Sequence, residues 1–258
     1  MNGVFYIGAT GLDTQQRALD IVANNIANLN TRAFKQSHPQ FAQMVAPGAL
    51  PADGRDTAAT DAQPALLGVK LDGAPVDFTQ GQLTETGAPL DLAINGAGFI
   101  ELMGPGGQTM LWRGGGLMVN ADGYLAASNG MPLQAMISVP RDASSLTISA
   151  DGKVTATVDG SAQPVSLGQI ELSQDNDPST LTAIGGGLYV PQSESDLVRA
   201  APGTEGVGSL AQGFAEASNV DLSREMVTLL LMQRTYSANA QVVQAGDQLM
   251  AIDNELKR

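Results

Sequence analysis

The spacing of apolar residues changes twice along this 258-residue chain, and that change constrains the fold more than any other feature. From Thr10 to Asn30, Leu12, Leu19, Val22, Ile26 and Leu29 recur at three- and four-residue steps, broken once at Gln15, which reads as one stripe of a helix. Thr10 with Asp13 predicts a capping box at its start, and Asn28 and Asn30 predict its stop. A longer helical pattern runs from Ser218 to Arg258, with Ser218 and Asp221 as candidate caps. One of its stripes passes through Leu222, Met226 and Leu229, and another through Leu231, Ala238, Val242, Ala245, Leu249, Ile252 and Leu256. Together they make an apolar face too wide for a lone surface helix, with Gly246 its weak point.

Between these ends the period is two. Leu146, Ile148 and Ala150 alternate into Asp151-Gly152, and Val154, Ala156 and Val158 alternate out, which predicts a hairpin whose type I′ turn uses positive φ. Asp122-Gly123 sits in the same way between Leu117-Met118-Val119 and Tyr124-Leu125. The resulting likeness of residues 121–127 to residues 150–156 reads as one turn chemistry used twice, not as a repeat. Further strands are expected at 76–79, 90–94, 99–102, 169–172 and 188–190. Residues 46–65 and 200–213 are rich in Gly, Pro, Ala and Thr, and read as linkers.

The expected fold is therefore α+β, with N- and C-terminal helices packed together in a coiled-coil-like pair around an inserted all-β module. Its parts are a helix in residues 1–35 pairing with 218–258, an extended linker over 36–70, a β-rich module over 71–199 and a second linker over 200–217. A helix of about 20 residues is marginal alone in water, and the middle of the chain offers no helical partner. The terminal apolar faces must be buried against each other, against the β module, or against other subunits, with each buried Leu or Ile contributing roughly 1.5–3 kcal/mol. One reading is an intramolecular helix pair; the other is two ends that become ordered on assembly.

Composition narrows the function. A net charge of −13 is wrong for a phosphate-binding surface, which needs clustered Lys and Arg, so no nucleic acid partner is expected. The absence of Cys removes disulfides, thiolate metal sites and cysteine nucleophiles. No apolar run reaches the roughly 18 residues of a membrane span, so no membrane insertion is expected. The first basic residue is Arg17, so the start has no charged region of a secretory signal, and any export is expected by a route that cleaves none.

Catalytic readings are weak. A carbohydrate-cleaving module would need two carboxylates across a cleft, and none of the 26 Asp and Glu residues stands out in a motif. His38, the only histidine, precedes Pro39 in a polar stretch and reads as a solvent-exposed loop residue with no second His for zinc. The glycine clusters at 104–107 and 114–116 lack the following Lys-Ser or Lys-Thr of a phosphate loop and read as turns. Asp175 and Asp177 lack the Gly and distal Glu of a calcium loop. Trp112 beside Arg113 could stack on a sugar, although a core or interface Trp is the commoner case. No catalytic residue, cofactor or metal is therefore expected. A periplasmic peptidoglycan-binding or peptidoglycan-cleaving module is the alternative of a different class, and a soluble export chaperone with helical arms would leave the β module unexplained.

Three separated motifs carry a resemblance. Asn24-Asn25-Ile26-Ala27-Asn28 with Thr31 and Phe34-Lys35 resembles the N-terminal signature of flagellar rod and hook proteins. The segment Asp91 to Phe99 (DLAINGAGF) resembles their central β motif. Glu216 to Asp221 (EASNVD), then Glu225-Met226-Val227 and Gln233-Arg234-Thr235-Tyr236, resembles their C-terminal helix. Length, the stretch at 46–65, the region 137–157 and the run 202–206 are most similar to the distal-rod branch, with proximal rod or hook subunits as alternatives. One departure is Ala33, where the family commonly has Gly; if a left-handed backbone is needed there, the local turn is expected to differ.

The resemblance implies a structural subunit of a self-assembling rod that crosses the periplasm and passes torque to the hook. It implies export through the flagellum's own type III apparatus, with the terminal helices lining an inner tube and the β module outside. The implied partners are further copies in a helical polymer, other rod proteins, the hook protein, the rings around the rod and the export apparatus. The implied assembly surface is Leu12, Leu19, Val22, Asn25, Ile26 and Leu29 on the first helix, and Met226, Leu229, Tyr236, Val242, Leu249, Ile252 and Leu256 on the second.

Overall fold

A computed structural model describes residues 2–45, 66–158, 163–204 and 206–256. The expected linker at 46–65 lies outside the described residues. The elements are α1 (Asn2–Ala27), β1 (Gln40–Val45), β2 (Leu66–Gly73), β3 (Leu83–Glu85), β4 (Asp91–Asn95), β5 (Phe99–Met103), β6 (Thr109–Trp112), β7 (Gly114–Val119), β8 (Leu125–Ala127) and β9 (Ala143–Ile148). They continue with β10 (Lys153–Val158), β11 (Val165–Gln169), β12 (Leu172–Asp175), β13 (Thr182–Gly185), β14 (Leu188–Val190), β15 (Leu197–Ala200), β16 (Ser209–Gln212), β17 (Phe214–Glu216) and α2 (Leu222–Leu256). A helix at each end and a β-rich centre make the chain α+β. It divides into two units: a helical one from residues up to 27, 37–75 and 221 onward, and a β-rich one from residues 28–36 and 76–220.

In the helical unit, α1 begins at Asn2, eight residues before the expected cap at Thr10. Thr10 is instead interior, its hydroxyl donating back to the Ile7 carbonyl (3.0 Å), because the helical pattern already holds from the first residues. α2 starts where Asp221 accepts hydrogen bonds from the Ser223 and Arg224 N–H groups (2.9 and 3.2 Å), a side-chain N-cap. Ser218, the other candidate cap, accepts from Val220 N–H instead. Residues 40–45 and 66–73, all but 71–73 expected within linker, form an antiparallel pair of strands, β1 with β2. That pair lies on α1: the Thr14 hydroxyl donates to the Val69 carbonyl (3.1 Å), and Gly68, at φ +105°, passes so close to the Thr10 hydroxyl that a side chain there would collide.

The β-rich unit contains a six-stranded antiparallel sheet ordered β13-β14-β6-β5-β12-β15, a four-stranded sheet β16-β4-β7-β8, a three-stranded sheet β11-β10-β9, and the pair β17-β3. The second expected linker is thereby corrected. Ser209–Gln212 is an edge strand on β4 and Phe214–Glu216 pairs with β3, because Leu210 and Ala215 alternate inward among the Gly and Gln residues. The expected strand at 76–79 is not regular, and 169–172 divides between β11 and β12 around Ile170. The core is built from Leu92, Ile94, Ile100, Leu102, Leu125 and Leu172, with Trp112 among them, so this Trp is a core residue. Phe78, Phe99 and Tyr189 meet edge to face at 5.1–5.7 Å in a second cluster that includes Leu111.

Both Asp-Gly hairpins use the same turn. In each, one residue bonds back across the loop (Asn120 N–H to Tyr124 O, 2.9 Å; Ser149 N–H to Lys153 O, 3.0 Å), and the glycine N–H closes onto its carbonyl. Only the glycine has positive φ (+84° at Gly123, +87° at Gly152). The loops are therefore three-residue turns with a glycine bulge, not the expected type I′ turns, which require two positive φ angles.

Candidate assembly site

The helical unit joins the two chain ends through one face of each helix. A Cβ on Gly8 would sit 2.5 Å from Val243 Cγ2, and one on Gly11 would sit 3.3 Å from Asn239 Nδ2, so these glycines let the α1 backbone approach α2 closely. Further along, Gln15 Nε2 reaches the Met232 carbonyl (3.5 Å). Ala18, Val22 and Met232 form a small buried cluster with Leu19, Ile26 and Leu229 against it. Asn25 ends the series. It is 1 % exposed, exchanges two hydrogen bonds with the Ser37 backbone (2.9 and 3.0 Å), and donates to Glu225 Oε1 (3.4 Å). As residue numbers rise on α1 their partners fall on α2, so the two helices run antiparallel.

This geometry divides the residues expected at the assembly surface. Val22 and Asn25 are buried inside the unit, and Leu19, Ile26 and Leu229 pack against the same cluster, so these five hold the helices to each other. Leu12 and Leu29 are half-buried. Met226, Tyr236, Val242, Leu249 and Ile252 are exposed, Leu249 at 64 % and Met226 at 54 %. The side chain of Leu256 lies outside the described residues. The expected set omits Val227, Leu230, Leu231 and Met250 on α2, and Tyr6 and Ile7 on α1, all exposed. The signal for them was in the sequence: apolar residues of α2 occupy the whole circumference, and the two stripes describe only part of it.

A second feature, unremarked as chemistry by sequence, lies inside the β-rich unit. Glu216 Oε1 accepts from Lys35 Nζ (2.6 Å) and from Gly81 N–H (2.8 Å), while its Oε2 accepts from Arg113 Nε (3.2 Å). The Lys35 and Glu216 side chains are 0 % and 1 % exposed. Lys35 also donates to the Thr79 carbonyl (2.8 Å), and the Arg113 guanidinium donates to the Gly96 and Gly98 carbonyls beside the Phe99 ring. Gly96 and Gly98 adopt φ near +118°, which turns those carbonyls inward. Ala33 has a left-handed backbone at φ +55°, a conformation Gly adopts at less cost, and donates its N–H to the Glu216 carbonyl (2.8 Å).

The other candidates have structural roles. Asp175 accepts from Asp177 N–H (2.9 Å), and Asp177 caps a single turn by accepting from Ser179 N–H and hydroxyl, which holds its carboxyl below the usual range. The glycines at 104–107 and 114–116 serve turns and a strand. No described helix is long and apolar enough to cross a membrane.

Three family models match, each on one of the chain segments just described. Residues 5–35 match "Flagella basal body rod protein", residues 93–156 match "Flagellar hook protein FlgE/F/G D1 domain", and residues 211–256 match "Flagellar basal body rod FlgEFG protein C-terminal". The flagellar basal-body rod protein FlgG of Caulobacter vibrioides is 34% identical over 254 residues, covering 96% of this chain and 97% of that protein. FlgG of Borreliella burgdorferi is 33% identical over the full length of both. This chain belongs to the FlgG family of flagellar basal-body rod proteins. FlgF of Caulobacter vibrioides is also similar, 32% identical over 94% of this chain and 93% of its own length. None of the three family models describes an enzyme. Each of them contributes one member of the buried cluster: Lys35, Arg113 and Glu216 in turn.

Proposed function

We infer that the chain is a structural subunit of the distal rod of the flagellar basal body, and that it polymerises through the outer face of its terminal helices. The observation that carries this is α2. Leu229, Met232 and Val243 face α1, yet Met226, Val227, Leu230, Leu231, Val242, Leu249 and Ile252 remain exposed on the remaining circumference. Apolar residues spread round the circumference of a helix need more than one neighbour to bury them. One partner helix covers only one side, so further copies supply the rest. In this reading the helices pack as a coiled-coil-like inner wall, the β-rich unit lies outside, and the polymer crosses the periplasm and transmits torque to the hook. Other rod proteins, the hook protein, the surrounding rings and the flagellar export apparatus are its partners.

Leu249→Asp tests this. At 64 % exposure the monomer should lose no more than about 0.5 kcal/mol. Each subunit contact, however, would forfeit roughly 1.5–3 kcal/mol of Leu burial and would bury a charge. Purified L249D should stay monomeric where the parent protein sediments as polymer, and should fail to restore motility to a strain lacking its distal rod subunit. Normal polymers and normal motility would refute the assignment of this face.

A further inference from the structure

The buried cluster has a consequence for the order in which the chain can fold. It sets two cations, Lys35 and Arg113, against one carboxylate, with the Thr79, Gly96 and Gly98 carbonyls sharing the load. Both cations come early. Glu216 follows Lys35 by 181 residues and Arg113 by 103. A chain delivered N-terminus first therefore contains every apolar residue of β4 to β12 well before it contains Glu216, the carboxylate hydrogen-bonded to both of these side chains. Without Glu216, closing the unit would bury two like charges together, and truncating one side of a buried ion pair is far more damaging than replacing the pair. Burial already depresses the Lys35 ammonium below its ordinary range with Glu216 in place, and the charge on Arg113 pushes it the same way.

We propose that Glu216 is a closing latch: the β-rich unit stays open until residue 216 has been delivered, and then closes just as α2, starting six residues later at Leu222, becomes available. Three further contacts make the latch specific to the arrival of this segment. Glu216 carries its own backbone carbonyl to Ala33 N–H, the Ala217 N–H donates to the Gln82 carbonyl (2.8 Å), and Asn219 donates to the Asp77 and Thr79 carbonyls while accepting from Gln36 N–H (2.8 Å). Glu216, Ala217 and Asn219 are thus bound to the segments that hold Lys35 and Gly81. The device keeps a half-delivered chain from forming a compact body, and it makes the β-rich unit and the assembly helix appear together.

The test uses the whole coding sequence with a translation-arrest peptide, reading the pulling force as the chain emerges from the ribosome. Parent protein should show its folding force only after residue 216 clears the exit tunnel. Lys35→Met/Glu216→Gln keeps Arg113 on its carbonyls and removes one charge of each sign, so its force should appear earlier, before residue 216 has cleared. A parent force peak before residue 216 would overturn the proposal. So would an unchanged late onset in K35M/E216Q, which would assign the delay to the missing strands β16 and β17. Purified full-length variants give an independent reading through Trp112, the only tryptophan. Glu216→Gln alone should abolish its cooperative urea transition, and K35M/E216Q should recover it. A native transition in E216Q, or no recovery in the double variant, would equally overturn the latch.

Discussion

The contact between Gly8 and Val243 gives the most direct test of the helix pairing. Gly8→Ala adds one carbon 2.5 Å from Val243 Cγ2, where carbon atoms normally approach to about 3.5–4.0 Å. The helices must separate by roughly 1 Å or Val243 must leave its rotamer, an overpacking cost of ~1–3 kcal/mol. Against this, Ala in place of Gly inside a helix gains about 0.8–1 kcal/mol. G8A should therefore destabilise the helical unit by ~0–2 kcal/mol. Val243→Ala, at a half-buried position, should cost about 1 kcal/mol through lost burial. In G8A/V243A the obstructing methyl is gone while the helix-propensity gain remains, so the double variant should lie near the parent. The predicted coupling is ~1–3 kcal/mol, where independent sites add to within about 0.5 kcal/mol. Thermal unfolding by circular dichroism at 222 nm measures it, because α1 and α2 are the only α-helices among the described residues and both belong to the helical unit. For a unit of this size each kcal/mol moves the midpoint by roughly 4–8 °C. Additive effects of the two substitutions would show that α1 does not meet α2 at this register.

Two further outcomes concern the β-rich unit. Gly81→Ala would drive a Cβ into the Ala217 carbonyl, a backbone atom that cannot move aside without shifting the segment behind Glu216, so the urea transition of Trp112 should lose about 3 kcal/mol or more while the 222 nm transition is retained. Asp151, hydrogen-bonded by Lys153 and then by Ser149, has its carboxyl pulled down from 3.8 to about 2. A folded-state value below the unfolded one means its contribution to the β9–β10 hairpin is complete above about pH 4 and is lost as pH falls through about 2; carboxyl NMR should place the midpoint there, and a midpoint near 3.8 would contradict the contact.

The helices were legible in sequence because their signal is a period, and a period survives without knowing the partner. Even so, Thr10 misled: a capping residue beside an acidic one three positions later is ambiguous when the helical pattern continues upstream, as it does through Tyr6 and Ile7. Strands such as Leu188–Val190 and the β9–β10 pair were legible through alternation and Asp-Gly turns. Ser209–Gln212 was hidden, because an edge strand of small and amide residues has the composition of a linker until β4 is known to lie beside it. The exposed apolar residues on α2 were partly readable, but the buried Val22 and Asn25 and the part-buried Ile26 could not be separated from them, because burial within the pair and exposure leave the same pattern in sequence. The ion cluster was beyond reach for another reason. Its members lie 181 and 103 residues apart, and a Lys or Glu at a motif edge looks solvated until a fold removes the water.

The two units rely on opposite kinds of specificity, and each suits its place. Apolar contact is non-directional and scales with area, so the exposed apolar side chains of α2 do not by themselves fix one partner geometry. A buried charge network has few solutions, because every donor needs its acceptor at hydrogen-bond distance and an unmet charge is heavily penalised. Lys35, Arg113 and Glu216 accordingly draw together three segments that are far apart in the chain, and Gly81, Gly96 and Gly98 supply backbone groups that no side chain could replace there. Loss of an outer apolar residue such as Leu249 should therefore leave a folded subunit that cannot assemble, whereas loss of Glu216 should leave the β-rich unit unfolded. The two defects are separable in one experiment, since the first leaves the Trp112 transition intact and the second removes it.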